Sequence, residues 1–378
     1  MTVDVTRPAI DPQVVGQHLE RASELLNEHK AGGLVLFRDS NILGFCGVPL
    51  APSDRLACGL VNADGRVAFV VPAFEAEIAD GLPAGSELIA WEEHEDPYAA
   101  AAEAARRLGL TTANIFLDGY TWVDTQARFR GALPRAQFEL DPGIIDSVRI
   151  KKSPEEIEAI RAACEDTGRI YPLIARRLQA GMSELDLSRE VMARLRKDGV
   201  SPCCDLIQGG TSAAIPHQPS GQRIFRDGEA VIVDFVAKRD SYHGDMTRTF
   251  AIGRPESEVK RAYTIVRRAQ RAAIEAARPG VTCEAVDRAA RAVIEEAGFG
   301  EYFVHRLGHG IGLDGHEPPY LVKGNKRRLE PGMCATVEPG IYIPGEFGIR
   351  IEDVITITQD GCSVLSTSVP TDVSDAFK

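Results

Sequence analysis

The 378-residue chain contains a duplicated half, and this constrains its fold more than any other feature. Gly181-Met-Ser-Glu-Leu-Asp-Leu187 and Gly280-Val-Thr-Cys-Glu-Ala-Val286 each run glycine, apolar residue, hydroxyl, and then into a helical pattern. Gly199 and Gly298, each 18 residues on, stop both helices. Another 18 residues on stand His217 and His316, so all three pairs share an offset of 99. The turns Arg226-Asp-Gly228 and Glu330-Pro-Gly332 follow, with the offset grown to 104 by a loop insertion. Each turn launches an apolar strand expected to end, six residues after its glycine, on a carboxylate: Asp234 and Glu338. The pattern predicts a pseudo-twofold α/β domain whose strands, flanked by helices, meet at a shared site. Packing alone does not explain an acid in both strands. A carboxylate among Val and Ile loses its hydration at a cost of several kcal/mol unless a partner or a metal compensates.

A chain of this length is too long for one small core, and two domains are expected. Residues 14 to 145 alternate helical and strand-like segments: a helix over 14–29, strands at 34–37 and 67–71, and an Ala-rich helix over 97–108. Ser153-Pro-Glu-Glu156 then forms a capping box with proline at the first helical position, opening a long helix towards Gln179. The domain boundary is placed just before it, giving 1–148 and 149–378. The formal net charge of −12, with no long basic run, argues against nucleic acid or an anionic membrane as the main partner. The apolar runs are too short for a membrane span. MTVDVTRPAIDPQ lacks the apolar core of an export signal, so a cytoplasmic location is expected. The eight cysteines show no paired metal spacing; Cys203-Cys204 is their one cluster and is expected to be a pair of ordinary buried thiols in a reducing compartment.

Each half carries a second acid on its next strand. Asp245 lies 11 residues after Asp234, enough for a hairpin that sets the two side by side, and Glu352 lies 14 after Glu338. Between the halves runs Gly308-His-Gly-Ile-Gly-Leu-Asp-Gly-His-Glu-Pro-Pro319, whose glycines permit close backbone approach and unusual dihedrals around His309. Two carboxylates about 4 Å apart repel by roughly 4 kcal/mol at an effective dielectric near 20. Four in one pocket therefore require protonation or cations. Four carboxylates and an imidazole suit two divalent ions, with manganese preferred and zinc or cobalt as alternatives; a thiolate zinc site is excluded. Two of the acids would bridge the ions, with a water between that becomes the nucleophile.

These motifs, in this order, resemble the pita-bread peptidases: methionine aminopeptidase, aminopeptidase P, prolidase and the metal-free creatinase. Asn41-Ile-Leu-Gly-Phe45 and Asp146-Ser-Val-Arg-Ile-Lys-Lys-Ser-Pro-Glu-Glu156 are similar to the N-terminal domain and junction of the prolidase and aminopeptidase P branch. Pro216-His217, Val233-Asp-Phe235, Asp245-Met-Thr-Arg-Thr249, the Gly308–Pro319 stretch, Glu338-Pro-Gly340 and Arg350-Ile-Glu-Asp353 resemble the catalytic motifs. The resemblance implies a pita-bread catalytic domain preceded by a smaller creatinase-like α/β domain. It implies Asp234 on one metal, His309 and Glu338 on the other, and Asp245 and Glu352 bridging. Glu338 would also handle the proton of the attacking water, His217 would lie near the scissile nitrogen, and His316 would stabilise the tetrahedral intermediate. Arg350, two residues before Glu352 and so on the same side of a strand, is a candidate for binding a substrate carboxylate, and His305 for lining the substrate pocket. Phe235-Val236 after the strand acid, and Gly210-Thr-Ser-Ala-Ala-Ile-Pro-His217 without asparagine, depart from the family pattern without removing a ligand.

The activity implied is hydrolysis of Xaa-Pro bonds in short proline-containing peptides by a homodimer. A dipeptidase (prolidase) is preferred over an aminopeptidase P because the chain is short. A non-catalytic binding module or a creatinase-like metal-free enzyme is disfavoured because all five ligand positions hold competent residues. Hydrolysis of another amide stays open.

Overall fold

The computed structural model describes residues 10–51 and 53–366; the leading residues read above for an export signal lie partly outside them. It comprises two compact units, one up to Arg149 and one from Ile150 onward. The N-terminal unit contains strands β1 (Gly33–Leu36), β2 (Cys58–Asn62), β3 (Val67–Pro72), β4 (Glu87–Trp91), β5 (Asn114–Leu117) and β6 (Gln137–Leu140). Its helices are α1 (Pro12–Glu28), α2 (Asp39–Cys46), α3 (Pro97–Arg107), α4 (Val123–Ala132) and α5 (Ile144–Arg149). The sheet order is β4-β3-β2-β1-β5-β6, with β2 antiparallel to both neighbours and the remaining pairs parallel. The α1 helix starts where the Asp11 carboxylate accepts from the Gln13 amide, and it buries Val14, Val15, Leu19, Ala22, Leu25 and Leu26 along one stripe. Asp96 and Pro97 open α3 in the same way. The Asn41 motif is a buried tie: its amide donates to Asp118 at 2.8 Å and its carbonyl oxygen accepts from Arg149.

The second unit holds α6 (Pro154–Gly168), α7 (Tyr171–Arg177), α8 (Glu184–Lys197), α9 (Ser257–Ala276) and α10 (Cys283–Glu296). Its strands are β7 (Ser201–Gly209), β8 (Ala230–Arg239), β9 (Tyr242–Ala251), β10 (Gly308–Gly310), β11 (Glu317–Leu321), β12 (Cys334–Val337), β13 (Gly340–Ile343), β14 (Phe347–Arg350), β15 (Asp353–Ile357) and β16 (Cys362–Val364). They form sheets β7-β8-β9, β11-β10-β12-β15-β16 and β13-β14. Val266 and Ala269 of α9 and Val286 and Ile294 of α10 pack with Ile341, Ile349 and Ile355 in one core.

The duplication is written into the backbone. Ser183 caps α8 and Thr282 caps α10, each hydroxyl accepting from the amide three residues on. Gly199 and Gly298 follow these helices with φ of 81° and 85°, the left-handed conformation that ends a helix at no Cβ cost. The Gly181 amide donates to the Phe225 carbonyl at 3.0 Å, and the Gly280 amide to the Leu329 carbonyl at 2.8 Å. These matched staples tie each helix to the turn before its acid-bearing strand.

Three expectations are corrected. The helix opened by Ser153 stops at Gly168 and a separate α7 begins at Tyr171, because Pro172 lacks an amide proton and its ring would clash with the carbonyl of Gly168. Asp234 does not end its strand: β8 runs on to Arg239, paired on both sides. Cys203 and Cys204 are exposed rather than buried, because the first half of edge strand β7 faces solvent. No described helix is long and apolar enough to cross a membrane.

Behind β9 and β15 lies a polar knot. Asp353 accepts from Arg248 at 2.7 Å, Gln270 at 2.8 Å and Ser366 at 2.7 Å, and Arg248 also donates to the carbonyls of Thr247 and Glu352. Asp353→Ala leaves the Arg248 guanidinium buried without its counter-charge. It is expected to cost about 3–5 kcal/mol, read as a lower urea midpoint at unchanged m value.

Candidate metal centre

The β8–β9 hairpin is closed by Asp240 and Ser241, both at positive φ (45° and 71°), a two-residue turn whose twist suits a hairpin. Asp234 pairs with Thr247, and Asp245 with Val236. The two acids therefore share a face but sit diagonally rather than directly opposite each other, two positions apart in register. Glu352 enters between β14 and β15. Its amide donates to the Thr247 carbonyl at 3.0 Å and its carboxylate accepts from the Thr247 hydroxyl at 2.6 Å.

His309 lies in the middle of β10. A Cβ on Gly308 would sit 2.0 Å from the Thr336 carbonyl oxygen, and one on Gly310 2.2 Å from that of Pro318. Neither glycine has a left-handed backbone, so they serve close approach and not the unusual dihedrals expected. The Nδ1 of His309 donates to the Gly310 carbonyl at 3.0 Å, which leaves Nε2 to face the acids. Nε2 is 3.2 Å from Glu338 and 3.9 Å from Asp245. Glu338, just past the end of β12, also accepts from the Thr336 hydroxyl at 3.1 Å.

Three groups of ligand atoms each fall within 4.8 Å: Asp234, Asp245 and Glu352; His309, Glu338 and Glu352; and Asp245, His309 and His316. Asp245, Glu352 and His309 thus each belong to two groups, and the first two are the shared carboxylates. Burial, and then the charge of Asp234, raises the Asp245 pKa well above the ordinary carboxylate value; burial, and then Asp245, does the same to Glu352. Burial would also raise Glu338, but its hydrogen bond to His309 outweighs this and brings it down to about 2. Burial disfavours the protonated form of His309, and Glu338 reverses that, so its pKa is raised. Asp245 Oδ1 is buried without a hydrogen-bond partner. An unsatisfied oxygen among mutually repelling carboxylates, with one bare imidazole nitrogen and no thiol in these groups, fits a hard or borderline divalent cation.

The other expected residues divide. His316 is brought in: its ring centroid is 3.7 Å from that of His309, its Nδ1 faces Arg306 at 3.2 Å, and burial and His309 lower its pKa to about 4. His217 lies in an exposed turn outside the three ligand groups. Arg350 is 2% exposed; it donates to Asp234 at 2.6 Å, the Tyr342 hydroxyl at 2.9 Å, the Pro216 carbonyl at 3.3 Å and Thr247 at 3.3 Å. His305 is fixed between the Arg306 carbonyl and the Tyr342 hydroxyl at 2.7 and 2.8 Å. Residue reading missed Thr247, Thr336, Tyr342 and Arg306. The two threonines had a signal, since each lies two residues from a ligand and so on its side of an extended chain. In the N-terminal unit, a cavity of about 310 Å³ is lined by Phe37, Tyr98, Tyr120 and Trp122, and none of the ligand groups lies there.

Residues 158–359 match Metallopeptidase family M24, and residues 18–151 match the Creatinase/Prolidase N-terminal domain. The chain belongs to metallopeptidase family M24. It is 36% identical to a protein described as probable dipeptidase PepE of Mycobacterium tuberculosis, over 93% of this chain and 94% of that one. It is 35% identical to an Xaa-Pro dipeptidase of Lactobacillus helveticus, over 84% of this chain and 88% of that one. The crystal structure of dipeptidase PepE from Mycobacterium ulcerans superposes with a TM-score of 0.88 at 32% identity, covering 96% of this chain and 98% of that one. The mixed α/β architecture expected from the repeat, and the creatinase-like domain before a metallopeptidase domain that the resemblance implied, are those found.

Proposed function

We propose that the protein is a dinuclear metal-dependent Xaa-Pro dipeptidase. The observation that carries this reading is the sharing of Asp245 and Glu352 between ligand groups, which is how two carboxylates come to serve two cations. Its likeness to the Lactobacillus helveticus Xaa-Pro dipeptidase supports the substrate class. Asp234 would hold one ion, His309 and Glu338 the other, and Asp245 and Glu352 both. Two divalent ions, manganese first with cobalt or zinc as alternatives, would supply Lewis acidity and an acidified water. Glu338, kept ionised by His309, accepts the proton of the attacking water. His316, with Nδ1 accepting from Arg306, presents Nε2–H to the developing oxyanion. His217 serves the scissile nitrogen from its exposed turn. Arg350, engaged with Asp234 and Tyr342, holds a ligand in place, and His305 backs it through Tyr342. In the same reading the N-terminal domain ends near residue 148, and the active form is a cytoplasmic homodimer, which light scattering of the purified protein checks.

Manganese-supplemented hydrolysis of a dipeptide Xaa-Pro beside a tripeptide Xaa-Pro-Xaa tests the assignment. The dipeptide should be cleaved and the tripeptide spared. Preference for the tripeptide would replace the reading by an Xaa-Pro aminopeptidase, and purified protein that binds no divalent ion would leave a binding module.

A further inference from the structure

The motif Lys151-Lys-Ser-Pro-Glu-Glu156, which opens the C-terminal unit, has no part in the chemistry above, yet it sends a charge into the interior of that unit. Lys152 Nζ donates to Glu317 Oε1 at 2.5 Å, with only 2% and 6% of the two side chains exposed. The other oxygen, Oε2, accepts from the Asp314 amide at 3.2 Å. Gly312 makes room for the pair: a Cβ there would stand 2.8 Å from Lys152 Cε and 2.9 Å from Glu317 Oε1. The lysine comes from a fixed stretch of backbone. Its amide donates to the Gly332 carbonyl at 2.8 Å, Lys151 bridges to Met333, and Ser153 caps α6.

Burying an ion pair costs both charges their hydration, and apolar residues of the same volume often stabilise a fold as well. Stability alone therefore does not account for this pair, whereas its location does. Glu317 follows His316 in the chain and pairs in register with Gly310, the residue after His309. One buried side chain thus anchors the backbone beside both rings of the imidazole stack, whose centroids are 3.7 Å apart. His316 is itself exposed, so its place depends on the backbone that carries it. His243 holds the same loop from β9, its amide donating to the Gly312 carbonyl at 2.9 Å. A reacting group displaced by about 1 Å can lose a hundredfold in rate, so a loop that carries one gains from such an anchor.

We propose that the Lys152–Glu317 ion pair is a positioning device for the reaction: it holds the His316 ring against His309 and so aims His316 at the scissile carbonyl. This rests on the dipeptidase reading, in which His316 serves the oxyanion, and adds the residues that place it.

The test uses Lys152→Met combined with Glu317→Gln, which removes both charges together and keeps an acceptor for the Asp314 amide. This variant should unfold at a urea midpoint near that of wild type. With manganese and Ala-Pro, its kcat should fall about ten- to a hundredfold while KM and bound metal stay unchanged. Added to His316→Ala, the same two changes should cost less than about threefold, because the residue they place is gone. Zinc is diamagnetic, so the ring-proton resonances of His316 can be followed in the zinc-loaded full chain, identified by their absence from His316→Ala. They should shift in the variant as the stack on His309 loosens. An equal loss with and without His316, loss of bound metal, failure to fold, an unchanged kcat or unmoved resonances overturns the proposal. Wild type that cleaves no Xaa-Pro dipeptide overturns the dipeptidase reading instead, and the resonances of His316 then decide the placement on their own.

Discussion

Asp245→Asn is expected to abolish divalent-ion binding and peptide hydrolysis together while making the metal-free protein more stable than metal-free wild type. Asp245 belongs to two of the three ligand groups, so its loss touches both ion positions. Residues that merely orient ligands change metal affinity or activity by about ten- to a hundredfold, and removal of a shared ligand should exceed that. The opposite effect on stability follows from its surroundings. Asp245 is 5% exposed, its Oδ1 has no partner, and its charge opposes those of Asp234, Glu338 and Glu352. A neutral amide of the same shape relieves this, with an expected gain of about 1–3 kcal/mol. Elemental analysis, a peptidase assay and chelated urea unfolding of the same preparations check the three parts. A variant that keeps its ions, or loses stability without them, contradicts the assignment.

Removal of metal should make stability fall as pH rises through the neutral range. The folded-state pKa values of Asp245 and Glu352 lie above the ordinary carboxylate value, so the metal-free folded state holds protons that the unfolded chain releases. Their contribution is full below the unfolded value near 4 and is lost as pH rises through the raised values. His309 is also raised and acts in the same direction from its ordinary value near 6.5 upward. Glu338, lowered to about 2, acts the other way: its contribution is present above about 4 and is lost only as pH falls towards 2. From pH 5 to 8 the first three dominate. Each kcal/mol moves the melting temperature by about 1–2 °C in a chain of 378 residues. Melting scans across that range should slope downward with chelator and flatten when manganese is restored. A flat chelated profile would mean that the acids are already neutralised within the chain.

Much of this site could be read from residues because its demands are expensive. Asp234 and Glu338 stand in apolar strands where an acid is costly, and the repeated order of motifs, at an offset of 99 that grows to 104, makes their equivalence visible in the sequence. The staples from Gly181 to Phe225 and from Gly280 to Leu329 are matched although the second spans five more residues, because the extra length sits in the loop that the staple encloses. The misses have physical causes. Whether a strand stops at its acid depends on its pairing partners, and β8 is flanked on both sides. Pro172 was a local signal against one continuous helix, and the apolar periodicity around it masked that signal. Tyr342 and Arg306 are of types found all over protein surfaces, and only the packing shows that one links His305 to Arg350 and the other faces no internal acid.

Each half of the C-terminal unit is stapled to itself, but the bridge between Thr247 and Glu352 belongs to neither half. It acts as a clasp: the residue that closes it also lends its carboxylate to two of the ligand groups. Cation capture and the docking of one half against the other are then thermodynamically linked. A change that loosens the clasp is expected to weaken both ion affinity and tertiary cohesion, even when every ligand is intact.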